Sequence, residues 1–436
     1  MSARRLAYKI LKSASVGATY SNIALDNAIK KNELSDADRG LVTAIVMGVT
    51  ERRITLDYII DAMAKRAEMV DPETRIILQM GILQLLCLDR IPEYAAVNET
   101  VALAPKRSVG FVNAVLRNLL RKMRAGQLEA LFPDEGGDEY LSVRYSFPPQ
   151  LCRRFSELYG FERTKKIFEI YNAPPRLTLR VNTLKISRNE YIKLLAGVGI
   201  VAELSEDVED AVLLDDVAFS SLPGFDEGLF FVQDIASQVC VSAVGAKAGE
   251  LVIDTCSCPG SKSFGMAIGM KNEGKVYSFD LHESKLSLVE SGARRLGIDI
   301  IGVGVRDGRK PDEALLGRAD RVLCDVPCSG LGVIAKKPEI RYKDLDEESR
   351  LPEIQYSILE SSAKYVKVGG TLVYSTCTVL PEENRNNFER FLAEHDDFAA
   401  DDFKVGRWGS SGGMLSLSPD IDKTDGFFVA RMKRVK

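Results

Sequence analysis

Asp325-Val326-Pro327-Cys328-Ser329-Gly330-Leu331-Gly332 and Ser375-Thr376-Cys377-Thr378 are the two stretches whose residue types could do chemistry. Each follows an apolar run, Arg321-Val322-Leu323-Cys324 and Thr371-Leu372-Val373-Tyr374 respectively, that reads as a buried strand. An acid and two thiols therefore fall on loops at the carboxyl ends of strands, where open α/β sheets bind their ligands. Free cysteines are common small core residues. A Pro-Cys and a Thr-Cys in polar loops beside an acid point instead to sulfur chemistry on a substrate held between them.

The elements that must position these groups begin near residue 228, where strands and helices alternate as in a doubly wound sheet. Leu251-Val252-Ile253 reads as the first strand, Val276 to Phe279 the second and Ile300 to Val305 the third, with Asp254, Asp280 and Asp307 at or just past their ends. The strands ending at Asp325 and before Cys377 follow, then a helix from about Pro381 and late strands near Leu415 and at Phe427 to Met432. Trp408 and the loop Gly409 to Gly413 read equally as a lid or as a surface turn.

Residues 1 to about 130 carry helix-period patterns. Leu78, Ile82, Leu85 and Leu86 lie in a segment apolar nearly all round, which predicts the central helix of a bundle. Val112, Val115, Leu116, Leu119, Leu120 and Met123 make one stripe, with Arg117, Arg121 and Arg124 on the opposite face. That face is either simply solvated or in contact with RNA. Between the two regions, residues 145–227 read as a small α+β connector holding the strand Leu177 to Thr183. Its Arg180 and Asn182 could touch a polynucleotide backbone or tie the connector to the next domain.

Net charge is −4, but residues 1 to 125 hold 19 Lys+Arg against 13 Asp+Glu, which leaves 39 against 49 for the remainder. A basic module on an acidic body favours an anionic partner locally. Eight cysteines in 436 residues do not make a disulfide framework; with two histidines and no paired C-x2-C knuckles, reduced thiols and no metal are expected. No uninterrupted apolar run of membrane-spanning length occurs, so a cytoplasmic protein and no membrane partner are expected.

The loop Cys256-Ser257-Cys258-Pro259-Gly260-Ser261-Lys262-Ser263 lacks the glycines of a P-loop, and G-x-G-x-x-G is absent. A nucleoside without phosphates fits better. Asp280 is placed to accept both ribose hydroxyl hydrogens and Asp307 an adenine amino hydrogen, although such acids also cap helices or neutralise arginines. S-adenosylmethionine is a ligand of this kind, a nucleoside bearing a sulfonium cation that acids tolerate.

The first domain, through Asp89-Arg90-Ile91-Pro92, Ala95 to Glu99 and Gly110 to Arg117, resembles the all-helical NusB-like RNA-binding fold. Along nearly its whole length the chain resembles the bacterial RsmB (Sun/Fmu) type of 16S rRNA cytosine-5 methyltransferase, within the Nol/Nop/Sun family. The motifs that carry this are Arg180-Val181-Asn182, Val232 to Gln238, Cys256 to Lys262, Asp325 to Gly330, Ser375 to Thr378 and Asp425 to Arg431. The family's loop usually reads C-A-A-P-G-G-K-T, from which Ser257, Cys258, Ser261 and Ser263 depart. The resemblance implies three parts: an all-α NusB-like domain over 1–130, the connector over 145–227, and an α/β class I S-adenosylmethionine-dependent methyltransferase domain, Rossmann-like, over 228–436. It implies S-adenosylmethionine as cofactor, bound by Cys256 to Lys262, Asp280, Asp307 and Asp325, and ribosomal RNA as partner. A monomer is expected.

Carbon 5 of cytosine is a poor nucleophile, and a thiolate added at carbon 6 turns the base into an enamine that can take a methyl group. Asp325 is the candidate for protonating or hydrogen-bonding ring nitrogen 3. The residues alone leave open which thiol attacks; the resemblance implies Cys377 as nucleophile and Cys328 as the thiol that assists release. Lys336, Lys337 and Arg341 are candidates for holding RNA nearby. Transfer RNA as substrate, or a non-catalytic RNA-binding assembly factor, are the competing readings.

Overall fold

The computed structural model describes residues 2–15, 25, 27–29, 31–64, 66–215, 217–345 and 347–436. The chain divides into two compact units: residues 1–173 with 334–343, and 174–333 with 344–436.

The first unit is helical: α1 (Ala3–Ser15), α2 (Asp36–Met63), α3 (Pro72–Cys87), α4 (Glu93–Val101), α5 (Val109–Arg124), α6 (Gly137–Tyr145), α7 (Pro149–Tyr159) and α8 (Phe161–Tyr171). Local sequence sets the starts: Ser35 and Asp71 accept the backbone N–H of Asp38 and Thr74, and Pro72 occupies the first turn of α3. As its all-round apolar pattern predicts, α3 is central, with Thr74 and Ile76 to Gln84 buried. Gly81 lets α5 approach, since a Cβ there would lie 2.8 Å from Leu116.

The expected connector start at 145 falls inside this unit. α7 and α8 pack with α6 through Phe147, Phe155 and Phe168, the first and last stacked 3.7 Å apart. Residues 334–343 also belong here. Arg341 is buried over the Phe147 ring at 4.3 Å and donates to the carbonyls of Glu51, Tyr145 and Ser146. Burial lowers its pKa to about 10. It is a structural residue, which corrects the expectation that it grips RNA.

In the second unit a four-stranded antiparallel sheet forms first. β1 (Leu177–Val181), β2 (Glu203–Leu204), β3 (Ala211–Leu214) and β4 (Phe230–Val232) lie in the order β2-β3-β1-β4, with α9 (Arg188–Gly197) started by a Ser187–Glu190 capping box. β4 pairs with β1, so the expected domain boundary at 228 cuts into this sheet. α10 (Ile235–Val244) then leads to the large sheet: β5 (Leu251–Asp254), α11 (Ser261–Gly269), β6 (Lys275–Asp280), α12 (Glu283–Leu296), β7 (Ile301–Val305), β8 (Ala319–Asp325), α13 (Leu351–Ala363), β9 (Val366–Thr376), α14 (Arg385–Glu394), β10 (Phe398–Ala400), the hairpin β11 (Lys404–Val405) and β12 (Trp408–Gly409), β13 (Met414–Leu417), α15 (Pro419–Asp422) and β14 (Phe427–Arg434).

The main strand order is β10-β14-β9-β8-β5-β6-β7, with β13 on β14. β5 to β9 run parallel and β14 antiparallel to β9. From β5 the chain winds one way to β6 and β7, then returns to β8 and β9 on the other side. The gap between β5 and β8 is thus the topological switch point, which opens a crevice at the strand ends.

Candidate active site

Asp325 ends β8 and pairs in register with Ser375 of β9. Two adjacent parallel strands therefore end at one level, and their loops are sewn together. Val326 N–H donates to Ser375 O and Gly332 N–H to Cys377 O. Gly332 must lack a side chain, because a Cβ would come 1.8 Å from Gly426 O. The result brings Cys328 Sγ to 3.3 Å from Cys377 Sγ, both half-buried and neither in a disulfide.

Lys262, from the β5–α11 loop, reaches across the switch point. Its Nζ lies 2.6 Å from Asp325 Oδ2, Ser375 Oγ donates to Asp325 Oδ1 at 2.7 Å, and the Phe427 ring flanks the ammonium at 5.2 Å. Burial opposes the charge on Lys262, but Asp325 and the thiols Cys240 and Cys377 outweigh it and raise the pKa. Lys262 is placed against the expected catalytic acid, beside the thiols, not simply along the cofactor loop. The Cys328 thiol is pushed well above its usual range by its hydrogen bond to Cys377 and then by burial.

The expected cofactor loop is pinned by backbone bonds: Thr255 N–H to Leu323 O, Ser257 N–H to Phe279 O, and Gly260 N–H to Ser257 O. Asp280 accepts from Cys258 N–H at 3.3 Å and His282 N–H at 3.0 Å, so it shapes the loop. Asp307 accepts from Arg309 on both oxygens, and these hydrogen bonds hold its pKa down at about 2. Burial keeps the Cys256 and Cys258 thiols high in pKa, hence protonated. Ser263, an intruder in the loop, donates to Asp254 Oδ2 at 2.6 Å and accepts from Ser278 Oγ at 2.8 Å.

Two buried acceptors there lack partners, Asp254 Oδ1 and Ser257 Oγ. Burial raises the Asp254 pKa to about 7. Unsatisfied buried polar atoms are costly unless a ligand completes them. The loop and the strand-end acids therefore offer polar groups that a cationic nucleoside such as S-adenosylmethionine would satisfy.

Two expected RNA contacts are corrected. Arg180 is buried, bonded to Asp210 at 3.1 Å and Gln233 at 3.5 Å, and packed on Gly265 of α11, where a Cβ would lie 2.6 Å from its Nη1. Asn182, also buried, donates to Gly228 O and Leu296 O, each at 2.8 Å. Both tie the small sheet to the large one. Trp408 is likewise no lid: it is buried and donates to Asp422 Oδ1 at 2.8 Å.

In the helical unit, Arg117, Arg121 and Arg124 are exposed, and Arg124 pairs with Glu93. Arg121 lines a groove of about 910 Å³ together with Arg66, Arg107 and Phe111. Lys336 and Lys337 fall in the 334–343 segment of this unit, half-buried and exposed respectively. Glu383 was not foreseen. After Pro381 an acid reads as an ordinary helix-start residue, yet it is buried and accepts from Ser329 N–H at 2.9 Å and Gln355 Nε2 at 2.7 Å.

Residues 241–433 match the model of the 16S rRNA methyltransferase RsmB/F family, residues 1–121 that of the NusB family, and 147–218 that of the RsmF/B-like ferredoxin-like domain. A probable ribosomal RNA small subunit methyltransferase B of Bacillus subtilis is 38% identical over 99% of both chains. The ribosomal RNA small subunit methyltransferase B of Klebsiella pneumoniae is 34% identical over 92% of this chain and 91% of its own. The chain belongs to the ribosomal RNA small subunit methyltransferase B family. It is a methyltransferase with a NusB domain at the amino terminus. The crystal structure of PH0851 superposes on it with a TM-score of 0.80 at 28% identity, covering 99% of this chain and 98% of that one. A methyltransferase homolog from Pyrococcus horikoshii gives 0.60 at 28% over 67% of this chain and 97% of its own. NSun6 from the same organism, solved with SFG, shares the fold at 0.61 and 22% identity over 67% of this chain and 99% of its own. Among the described residues no helix is long and apolar enough to cross a membrane.

Proposed function

We propose that this methyltransferase uses S-adenosylmethionine to methylate carbon 5 of a cytosine in small-subunit (16S) ribosomal RNA, through a covalent bond between Cys377 and ring carbon 6. The approach of the two thiols, 3.3 Å apart beside the Lys262–Asp325 pair, carries this reading. The ribosomal RNA target rests on the relatives' names and on the NusB domain.

The Cys377 thiolate adds to carbon 6, and the C5–C6 π pair moves onto carbon 5 and ring nitrogen 3. Lys262 stabilises that charge by donating a hydrogen bond at nitrogen 3, and Asp325, which accepts from it, orients the ammonium. Bound S-adenosylmethionine would be held by Asp254, Ser257, Asp280 and Asp307 and would supply an electrophilic methyl group. In the release step the carbon 5 proton passes to water, its C–H pair forms the C5=C6 bond, and the C6–S pair returns to Cys377, whose sulfur the Cys328 S–H stabilises. The target base must leave its stack to enter, at a cost of a few kcal/mol.

The test incubates the protein with methyl-labelled S-adenosylmethionine and either small-subunit ribosomal RNA or transfer RNA transcripts, then analyses nucleosides by mass spectrometry. 5-Methylcytidine in the ribosomal transcript, together with a C328A–RNA adduct stable on denaturing gels, is expected. Label in another nucleoside, or in transfer RNA alone, overturns the assignment.

A further inference from the structure

Cys328 is bracketed on both sides by a closed set of buried hydrogen bonds that the chemistry above does not use. The carbonyl before it, Pro327 O, accepts from Gln355 Nε2 at 3.0 Å. The same amide nitrogen donates to Glu383 Oε2 at 2.7 Å, and that oxygen accepts the N–H of Ser329, the residue after Cys328, at 2.9 Å. The other carboxylate oxygen takes the Ser329 hydroxyl at 2.5 Å. That hydroxyl also meets Thr378 Oγ1 at 2.7 Å, next in sequence to Cys377. Glu383 is 2% exposed and its own carbonyl accepts from Tyr374 of β9 at 2.5 Å.

A carboxylate with four acceptor sites is the side chain that can satisfy an amide N–H, a hydroxyl and a carboxamide at once. Burying one is expensive unless it is fully bonded, and here the bonds converge on Ser329 and, through Gln355, on Pro327, the two residues flanking one thiol. A packing role alone would be met more cheaply by an apolar residue of similar volume.

We propose that Glu383 is a positioning residue for adduct release: with Gln355 and Ser329 it holds the Cys328 thiol against Cys377, so that the S–H reaches the sulfur leaving carbon 6. Its negative charge next to Cys328 also favours the protonated thiol. The inference rests on the assignment of Cys328 to release. It is absent from the pattern of the two thiol motifs, because Glu383 and Gln355 lie 55 and 27 positions beyond Cys328.

The test uses the full chain with S-adenosylmethionine and the small-subunit ribosomal RNA transcript, comparing wild type, E383A, C328A and E383A/C328A. E383A is expected to lower turnover at least about tenfold and to accumulate the gel-stable RNA adduct as C328A does. It should leave the rate of adduct formation within about twofold and add nothing in the C328A background. Such non-additivity marks two residues acting in one step. If E383A melts below the assay temperature, Q355L, which removes the Pro327 tether, carries the same expectation. An E383A adduct that fails to accumulate, or an effect multiplicative with that of C328A, overturns the inference while leaving the proposed function standing. No adduct in C328A itself overturns both.

Discussion

The crevice at the strand ends and the arginine face of α5 handle polar groups in opposite ways. In the crevice the charged groups are held by short bonds from several elements: Asp325 by Lys262 and Ser375, Glu383 by Ser329 and Gln355, Asp254 by Ser263, with its second oxygen buried and unpartnered. On α5, Arg117 bonds Asn113 and Arg121 bonds Asn118, each a neighbour on its own helix, and the guanidinium groups stand in water. Low dielectric and shared partners make the crevice a unit in which one loss propagates. High dielectric makes the arginine face a sum of independent small terms.

The largest effect that would sharpen the contrast is at Cys377. C377A should lower turnover by at least about 10³-fold and abolish every RNA adduct, with melting temperature little changed. Residual turnover within about tenfold of wild type would remove the crevice's claim to act as a unit.

Arg180 comes next, because it looks in sequence like the α5 arginines and is built like the crevice. R180M leaves Asp210 and Gln233 without their partner and should cost about 2–3 kcal/mol of stability, read as a lowered melting temperature. RNA affinity per folded molecule should not change. A weaker affinity at unchanged stability would return Arg180 to the binding surface.

Asp254 gives a pH signature. Its folded pKa, raised to about 7 by burial, lies above the unfolded value of about 3.9. Between these values the folded state holds a proton that the unfolded state has lost. Stability from this group is therefore present at low pH and falls as pH rises toward 7, by at most about 1.4 kcal/mol per unit. Thermal melts from pH 5 to 7.5 should show that decline in wild type and a shallower one in D254N. Parallel curves would break the account of the buried acid.

The smallest effect is expected on the open face. R117A/R121A/R124A should leave the fold and single-turnover chemistry at saturating RNA unchanged. It should weaken RNA binding and reduce the slope of log affinity against log salt by about 0.7–0.9 for each phosphate the variant no longer neutralises. Filter binding across a salt series measures this.

Much of this was legible along the chain because it is local. Alternating apolar runs located β5, β6, β8 and β9, and with them the strand-end acids and both thiols, since a strand's end is fixed by where its apolar run stops. α3 announced itself by being apolar on every side. For Arg180 and Asn182 the chain left contact with RNA and a structural tie both open, and only the approach of α11 to Arg180 and the bonds of Asn182 to Gly228 and to Leu296 at the end of α12 decide for the tie. Glu383 was hidden for the converse reason, since an acid after a proline satisfies a helix start without further explanation.

The amino-acid sequence by itself determined which groups exist and which strand ends carry them, because hydrophobic period and turn chemistry act over a few residues. Only tertiary structure decided which of those groups meet. Lys262 joins Asp325 across 63 positions, Cys328 joins Cys377 across 49 and Arg341 sinks among the helices of the first unit. Such meetings depend on strand order and register, and those are fixed by burying whole faces together, not by any short stretch of chain.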